Sequence, residues 1–234
     1  VAGSVFATTS VTVSGTTTPG YTILLSYIPA SSSASTTLSI TPDGLGSWSR
    51  VVSMNEGSVS VAASAEHSGS YSASTSRSFV TDLTPPSVPV FSAAECVASL
   101  SVSFCLSATT TAHLSWSAVT GAAYYAVSVN GGLNSTTTGL SASAALADRA
   151  TSTLAVAAYD VAGHAATSSS QSVRTYVQPV ILNEVAWAGT DAQADDEWME
   201  LKNRSPYVID LSRLAVLAID GGPYVPLSGS LLPF

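Results

Sequence analysis

The chain has 234 residues, of which 46% are apolar and only 9% charged, with a net charge of −8; ordinary globular domains carry roughly 25% charged residues. That apolar content is enough to build cores and excludes disorder over most of the length. The wealth of Ser, Thr, Ala and Val, with few strong helix formers, favours sheet over helix. One lysine, Lys202, and six scattered arginines leave no basic patch to neutralise phosphates, so no nucleic-acid partner is expected.

Val1 to Phe6 lacks the basic and long apolar regions of a signal peptide, so either such a segment was removed or, the preferred reading, the chain begins inside a longer protein. Ser10-Val-Thr-Val-Ser14 and Thr22-Ile-Leu-Leu-Ser-Tyr27 read as strands around a Gly15 to Gly20 turn, because apolar and polar residues alternate at period two. Pro42-Asp-Gly-Leu-Gly-Ser-Trp48 supplies a tight turn that delivers Trp48 into the next strand. Glu56-Gly57 marks another turn before Val59-Ser-Val-Ala-Ala63, and Ser78-Phe-Val-Thr-Asp82 closes the module. Short strands separated by turns every 8 to 12 residues predict a sandwich. The order Val-x-Val-Ser-Gly-Thr, Asp-Gly-x-Gly-x-Trp-Ser, Glu-Gly and Phe-Val-x-Asp resembles a bacterial immunoglobulin-like repeat. Glu66-His-Ser-Gly69 stands where that family carries an Asp and an Asn-Ser, so no ion-binding role is carried over.

Leu83-Thr-Pro-Pro-Ser-Val-Pro89 and Tyr176-Val-Gln-Pro179 are predicted to be stiff, extended linkers, since proline fixes φ and cannot donate to a ladder. They divide the chain into modules at 1–85, 86–177 and 178–234. The second holds Leu114-Ser-Trp116, Tyr124-Tyr-Ala-Val-Ser-Val129 and Leu154-Ala-Val-Ala-Ala-Tyr-Asp160 ahead of Ala162-Gly163. This pattern is similar to fibronectin type III, with Leu154 where that family often places a corner tyrosine. Val59 to Gly69 and Leu154 to Gly163 form a weak internal repeat of strand and turn, in keeping with two sandwiches in tandem.

In the third module, Val180-Ile-Leu-Asn-Glu-Val-Ala-Trp187 and Asp196-Glu-Trp-Met-Glu-Leu-Lys-Asn203 alternate at period two across an acidic loop. The Asn-Glu-x-x-Trp and Glu-Trp-x-Glu-Leu-x-Asn motifs resemble the start of bacterial lamin tail domains, over 178–234 only. The resemblance implies an immunoglobulin-like sandwich of which the N-terminal part is present, with unpartnered edges. The fold class expected for the whole chain is all-β, as tandem immunoglobulin-like β-sandwiches with the last one incomplete. The apolar window Leu211 to Ile219, with its Ser212 and Arg213, falls short of the roughly 20 residues needed to span a bilayer, so no membrane insertion is expected in this segment.

Cys96 and Cys105, the only cysteines, flank the alternating Leu100-Ser-Val-Ser-Phe104. In an exported protein an even count points to a bridge, here a hairpin disulfide, with two free buried thiols as the alternative. Eight of the fifteen acids lie between Glu184 and Asp220, and Asp191, Asp195, Asp196 and Glu197 share one loop that reads either as solvated or as a calcium holder. Glu184 and Glu200 are expected on neighbouring strands, in a structural rather than an acid/base role. His67, His113 and His164 sit apart as surface or turn residues, and no nucleophile, metal or phosphate motif is present; no catalytic residue, metal or cofactor is assigned. Trp48 and Trp116 are expected in cores. With Met199 and Leu201 facing inward, Trp198 points outward, where an aromatic can stack on sugar or protein; Trp187, Trp198 and Glu200 form the candidate interaction surface, with core contact as the competing role. Asn134-Ser-Thr136 is a sequon to which no role is assigned.

These residues point to a non-catalytic structural or adhesive segment of an exported bacterial surface protein. Its modules are monomeric, and a cell-surface protein or carbohydrate is the expected ligand. The alternative is an accessory region of a secreted hydrolase that binds substrate through Trp187 or Trp198.

Overall fold

The computed structural model describes residues 4–29, 32–186, 193, 197–220, 222 and 224–234. They group into two units, Val1–Pro86 with Tyr159–Ala165, and Ser87–Ala158 with Ala166–Phe234. Among the described residues the structure is all-β, with one short α-helix.

The first unit holds β1 (Val5–Phe6), β2 (Ser10–Thr16), β3 (Thr22–Tyr27), β4 (Thr36–Ile40), β5 (Ser47–Ser53), β6 (Gly57–His67), β7 (Ser70–Tyr71) and β8 (Thr75–Thr81). One sheet runs β1-β8-β6-β3-β4 and the facing one is the pair β2-β5. The alternation of β2, with Val11 buried and its Ser and Thr neighbours outward, packs one face of each sheet on the other. Val11, Ile23, Leu25, Trp48, Val52, Met54, Val61 and Phe79 form the core. Gly15 stands near the end of β2, opposite Trp48, and a Cβ there would lie 3.0 Å from the indole; the missing side chain is what seats the ring. Gly46 closes the Asp43 turn at φ +81°, where Asp43 Oδ1 accepts from Leu45 N at 2.9 Å and Ser47 N at 2.8 Å. β1 pairs in parallel with β8, Val5 opposite Val80 and Phe6 opposite Thr81.

The second unit begins with β9 (Phe91–Ala93), α1 (Ala94–Val97), β10 (Cys105–Ser107), β11 (Thr111–Trp116), β12 (Tyr124–Val129), β13 (Gly132–Thr137), β14 (Ser141–Ala145), β15 (Ala150–Tyr159), β16 (Ala165–Thr167) and β17 (Gln171–Thr175). The sheets β14-β11-β9 and β10-β17-β15-β12-β13 face each other across a core that includes Leu114, Trp116, Tyr125, Val127, Leu154, Val156 and Val173. Leu154, in place of a corner tyrosine, is fully buried. Trp116 and Tyr125 rings lie 5.3 Å apart, and the Tyr125 hydroxyl accepts from Val119 N at 2.9 Å, which satisfies the one polar atom this ring brings inside. β10 repeats the parallel device, pairing Cys105, Leu106 and Ser107 with Val173, Arg174 and Thr175.

Among the described residues, the 178–234 segment of the same unit holds three two-stranded ladders: β18 (Val180–Ala186) with β19 (Trp198–Asn203), β20 (Ile209–Asp210) with β23 (Ser230–Leu231), and β21 (Ala215–Leu217) with β22 (Tyr224–Pro226). Leu211–Arg213 is a 3₁₀ turn capped by Asp210.

Two local expectations are corrected. Leu100 to Phe104 is no strand: Cys96 sits in α1, Cys105 opens β10, and the residues between them form a loop, so the disulfide joins a helical turn to a strand rather than two arms of a hairpin. Buried Ser99 organises this loop, as described below, and outweighs a five-residue alternation. Tyr176-Val-Gln-Pro179 is a bend instead of a stiff extended linker. Gln178 adopts φ +50°, and Tyr176 N, Val177 N and Pro179 O are bonded to Ser107 O, Asp148 Oδ1 and Arg204 N at 2.9, 2.8 and 2.7 Å.

Candidate interaction surface

The β18–β19 hairpin pairs Leu182 with Leu201, Glu184 with Glu200, Val185 with Met199 and Ala186 with Trp198, with a bulge at Asn183. Directly opposed residues project from the same face of an antiparallel pair and successive ones alternate. One face therefore carries Leu182, Leu201, Val185 and Met199, and the other Glu184, Glu200, Ala186 and Trp198. The apolar face is half exposed: Leu182, Val185 and Met199 are 50%, 49% and 48% exposed, and Trp198 on the opposite face is 49% exposed. Trp187 and the acids Asp191, Asp195 and Asp196 lie outside the described residues, and Glu197 is exposed.

Glu184 and Glu200 are juxtaposed and exposed. Like charges directly opposed are unfavourable, and Asn183 Nδ2 answers by donating to Glu200 Oε2 at 2.9 Å. At the far end of β19 the motif residue Asn203 is buried. Its amide donates to Tyr207 O at 2.6 Å and Leu231 O at 3.3 Å, and its Oδ1 accepts from Ser205 N and Ser205 Oγ at 2.8 Å each. Asn203 thus ties the hairpin to the following turn. Sequence reasoning quoted this residue without giving it work; an amide that closes an alternating strand is the only signal it offered.

Cys96 and Cys105 form the disulfide. Trp48 and Trp116 are core residues. His67 stacks on Tyr21, ring centres 4.7 Å apart. His113 Nδ1 meets Glu95 Oε1 at 2.7 Å, and His113 N donates to Glu95 Oε2 at 2.9 Å. Burial raises the Glu95 pKa, yet the bonds from His113 outweigh it and hold the carboxyl below its usual 4.5. Asp160 accepts from Ala162 N at 2.8 Å, His164 N at 2.9 Å and His164 Nδ1 at 3.0 Å; burial again opposes, and these bonds hold it below its usual 3.8.

Within the first unit, Asp82, Asp160 and His164 offer donor atoms within 4.8 Å of one another. Carboxylate and imidazole suit several divalent ions. The Asp160 carboxylate already closes its own turn, however, so a cation would compete with three hydrogen bonds. Sequence reasoning treated His164 as a turn residue and did not foresee that Asp82 lies beside it. A cleft of about 550 Å³ also opens between the sheets of the first sandwich, lined by Val13, Gly15, Tyr21, Trp48, Val61 and Arg77 among others.

No protein family and no curated protein matches the chain. Among solved structures it is similar to the FN1–FN3 domains of chicken CNTN1, at 13% identity and TM-score 0.44 over 75% of this chain and 62% of that one. It is also similar to the fibronectin(III)-like modules of Clostridium thermocellum CbhA, at 15% identity and TM-score 0.41 over 76% and 90%. A 1.5-MDa bacterial ice-binding adhesin matches at 16% identity and TM-score 0.38 over 82% and 66%.

Proposed function

We propose that the chain is a non-catalytic structural and adhesive segment of an exported bacterial surface protein, a stiff modular stalk that holds a ligand-facing module away from the envelope. The observation that carries this reading is the succession of two sandwiches joined by Leu83 to Val90, a connection with three prolines. Proline-rich connections resist bending, and two sheets packed face to face make a rigid spacer. The Cys96–Cys105 disulfide supports an oxidising, extracellular location. Small-angle scattering of the full chain tests the stalk: a radius of gyration well above the ~17 Å of a single globule of this length is expected, and a value at that figure refutes it.

The half-exposed Trp198 beside Glu200 favours a second reading, in which the segment is an accessory part of a secreted hydrolase and this face stacks on a polysaccharide. Binding to a glycan array that is lost in Trp198→Ala supports it. A blank array with the unaltered chain removes it and leaves a protein ligand.

A further inference from the structure

The loop closed by the disulfide has no strand ladder of its own, yet it is held tightly. Ser99 is buried; its hydroxyl donates to Phe104 O at 2.8 Å and accepts from Ser101 N at 3.1 Å and Leu106 N at 2.8 Å. Leu100 N adds a bond to Leu106 O at 3.3 Å. One hydroxyl thus gathers both ends of the loop, and the Cys96–Cys105 bond locks them covalently.

What this frame presents is taken up by the 178–234 segment. Asp210 N donates to Leu100 O at 2.8 Å, and the Arg213 guanidinium donates to Val97 O at 3.0 Å. The Phe104 ring meets Tyr207 edge to face at 5.1 Å. Arg174, from β17, lies over Phe104 at 4.1 Å and over Tyr207 at 5.2 Å, so one cation serves two rings from two parts of the chain. Donors and rings on the segment side are themselves fixed: Asp210 caps the turn that carries Arg213, and Asn203 and Ser205 hold the turn that ends at Tyr207.

We infer that the Cys96–Cys105 loop is a socket that seats the 178–234 segment on the second sandwich, so that the two move as one rigid body. The disulfide is a positioning element. It keeps Val97 O, Leu100 O and Phe104 in the spacing that Arg213, Asp210 and Tyr207 require, and with the cross-link absent the loop samples other shapes and the segment swings free about the 176–179 bend. Nothing in this depends on what the chain binds, so it holds under either reading of function.

The test is amide hydrogen exchange by NMR on the full chain, comparing the native protein with Cys96→Ser/Cys105→Ser and with Arg174→Ala. Asp210 N–H crosses the joint and reports its opening. Trp116 N–H, bonded to Leu140 O, and Leu227 N–H, bonded to Leu214 O, report the folding of the sandwich and of the segment. The expected result is exchange at Asp210 faster by about tenfold in both variants, with Trp116 and Leu227 unchanged, and ¹⁵N relaxation giving one tumbling time shared by the second sandwich and the 178–234 segment in the native protein but separate times for them in the variants. Unchanged Asp210 exchange in a folded double-serine variant overturns the inference. If that variant also exposes Trp116, Arg174→Ala decides, and an unchanged Asp210 there overturns it equally.

Discussion

Gly46→Ala and Gly44→Ala alter the same turn by the same methyl group and should give opposite results. At Gly46 the backbone is at φ +81° and the added Cβ would fall 1.9 Å from Thr17 O. The left-handed conformation costs an alanine about 1 to 2 kcal/mol. The obstacle is backbone, so Thr17 must move, and the bond from Thr17 N to Gly46 O, 2.8 Å long, is lost with it, at about 0.5 to 1.5 kcal/mol. Together these amount to about 1.5 to 3.5 kcal/mol. In a module of this size that lowers the midpoint by about 6 to 28 °C. At Gly44 nothing lies within 4 Å and φ is not positive, so alanine should be neutral or stabilise by up to about 1 kcal/mol through the unfolded chain. Scanning calorimetry on the full chain measures both, with the transition of the first sandwich identified by the Val52 amide signal in parallel NMR melts. Equal effects of the two substitutions would refute the reasoning.

Gly15→Ala should cost less, about 1 kcal/mol, because the atom it meets is the Trp48 side chain rather than backbone; a shifted Trp48 indole resonance is the accompanying signature. Leu154→Ala, at a fully buried site, should cost about 2 to 5 kcal/mol in a urea melt followed by Trp116 resonances. The Glu95 and Asp160 carboxylates are depressed in the folded state, so their contribution is complete above the ordinary values of 4.5 and 3.8 and is lost as pH falls through the lower folded values. Glu95→Gln should accordingly flatten the acid side of the stability profile below about pH 4.5, and an unchanged profile would contradict the assignment. Trp198→Ala should shift stability by no more than about 0.5 kcal/mol, since the ring is half exposed; a large loss would mean that it is a packing residue.

The strands that alternate over five or more residues and meet a neighbour close in sequence were legible: Thr22–Tyr27 and Tyr124–Val129 are bounded as the pattern reads. Both core tryptophans were also legible, because each sits in an alternating run behind a turn. Leu100 to Phe104 misled, since alternation says only that a strand could form. The partner it would need is occupied: β10 takes the edge of β17, and Ser99 draws the loop into a local fold. The bend at Gln178 was hidden for a related reason. Proline restrains its own φ and the residue before it, while the bonds from Tyr176 and Val177 to the preceding sandwich come from residues about 30 or more positions away. The expected contrast of an inward Met199 with an outward Trp198 is absent, as the two are 48% and 49% exposed; the facing of Glu184 and Glu200 was legible, because it follows from period two once the hairpin is assumed. Arg174, Phe104 and Tyr207 were not, because no periodicity links three side chains spread over a hundred residues of chain.

The parallel pairings of β1 with β8 and of β10 with β17 bear on how the chain meets tension. In each sandwich a strand near the start lies beside the last strand and points the same way, so a pull on the two ends draws them past each other along their length. The ladder bonds are then loaded together in shear, whereas an antiparallel pair pulled from one end opens one bond at a time. Among the described residues the second sandwich has three such residue pairs and the first has two, and load arriving through Cys96 crosses the sulfur bridge straight into Cys105 at the head of β10. Residues 97–104 are thereby taken out of the line of force.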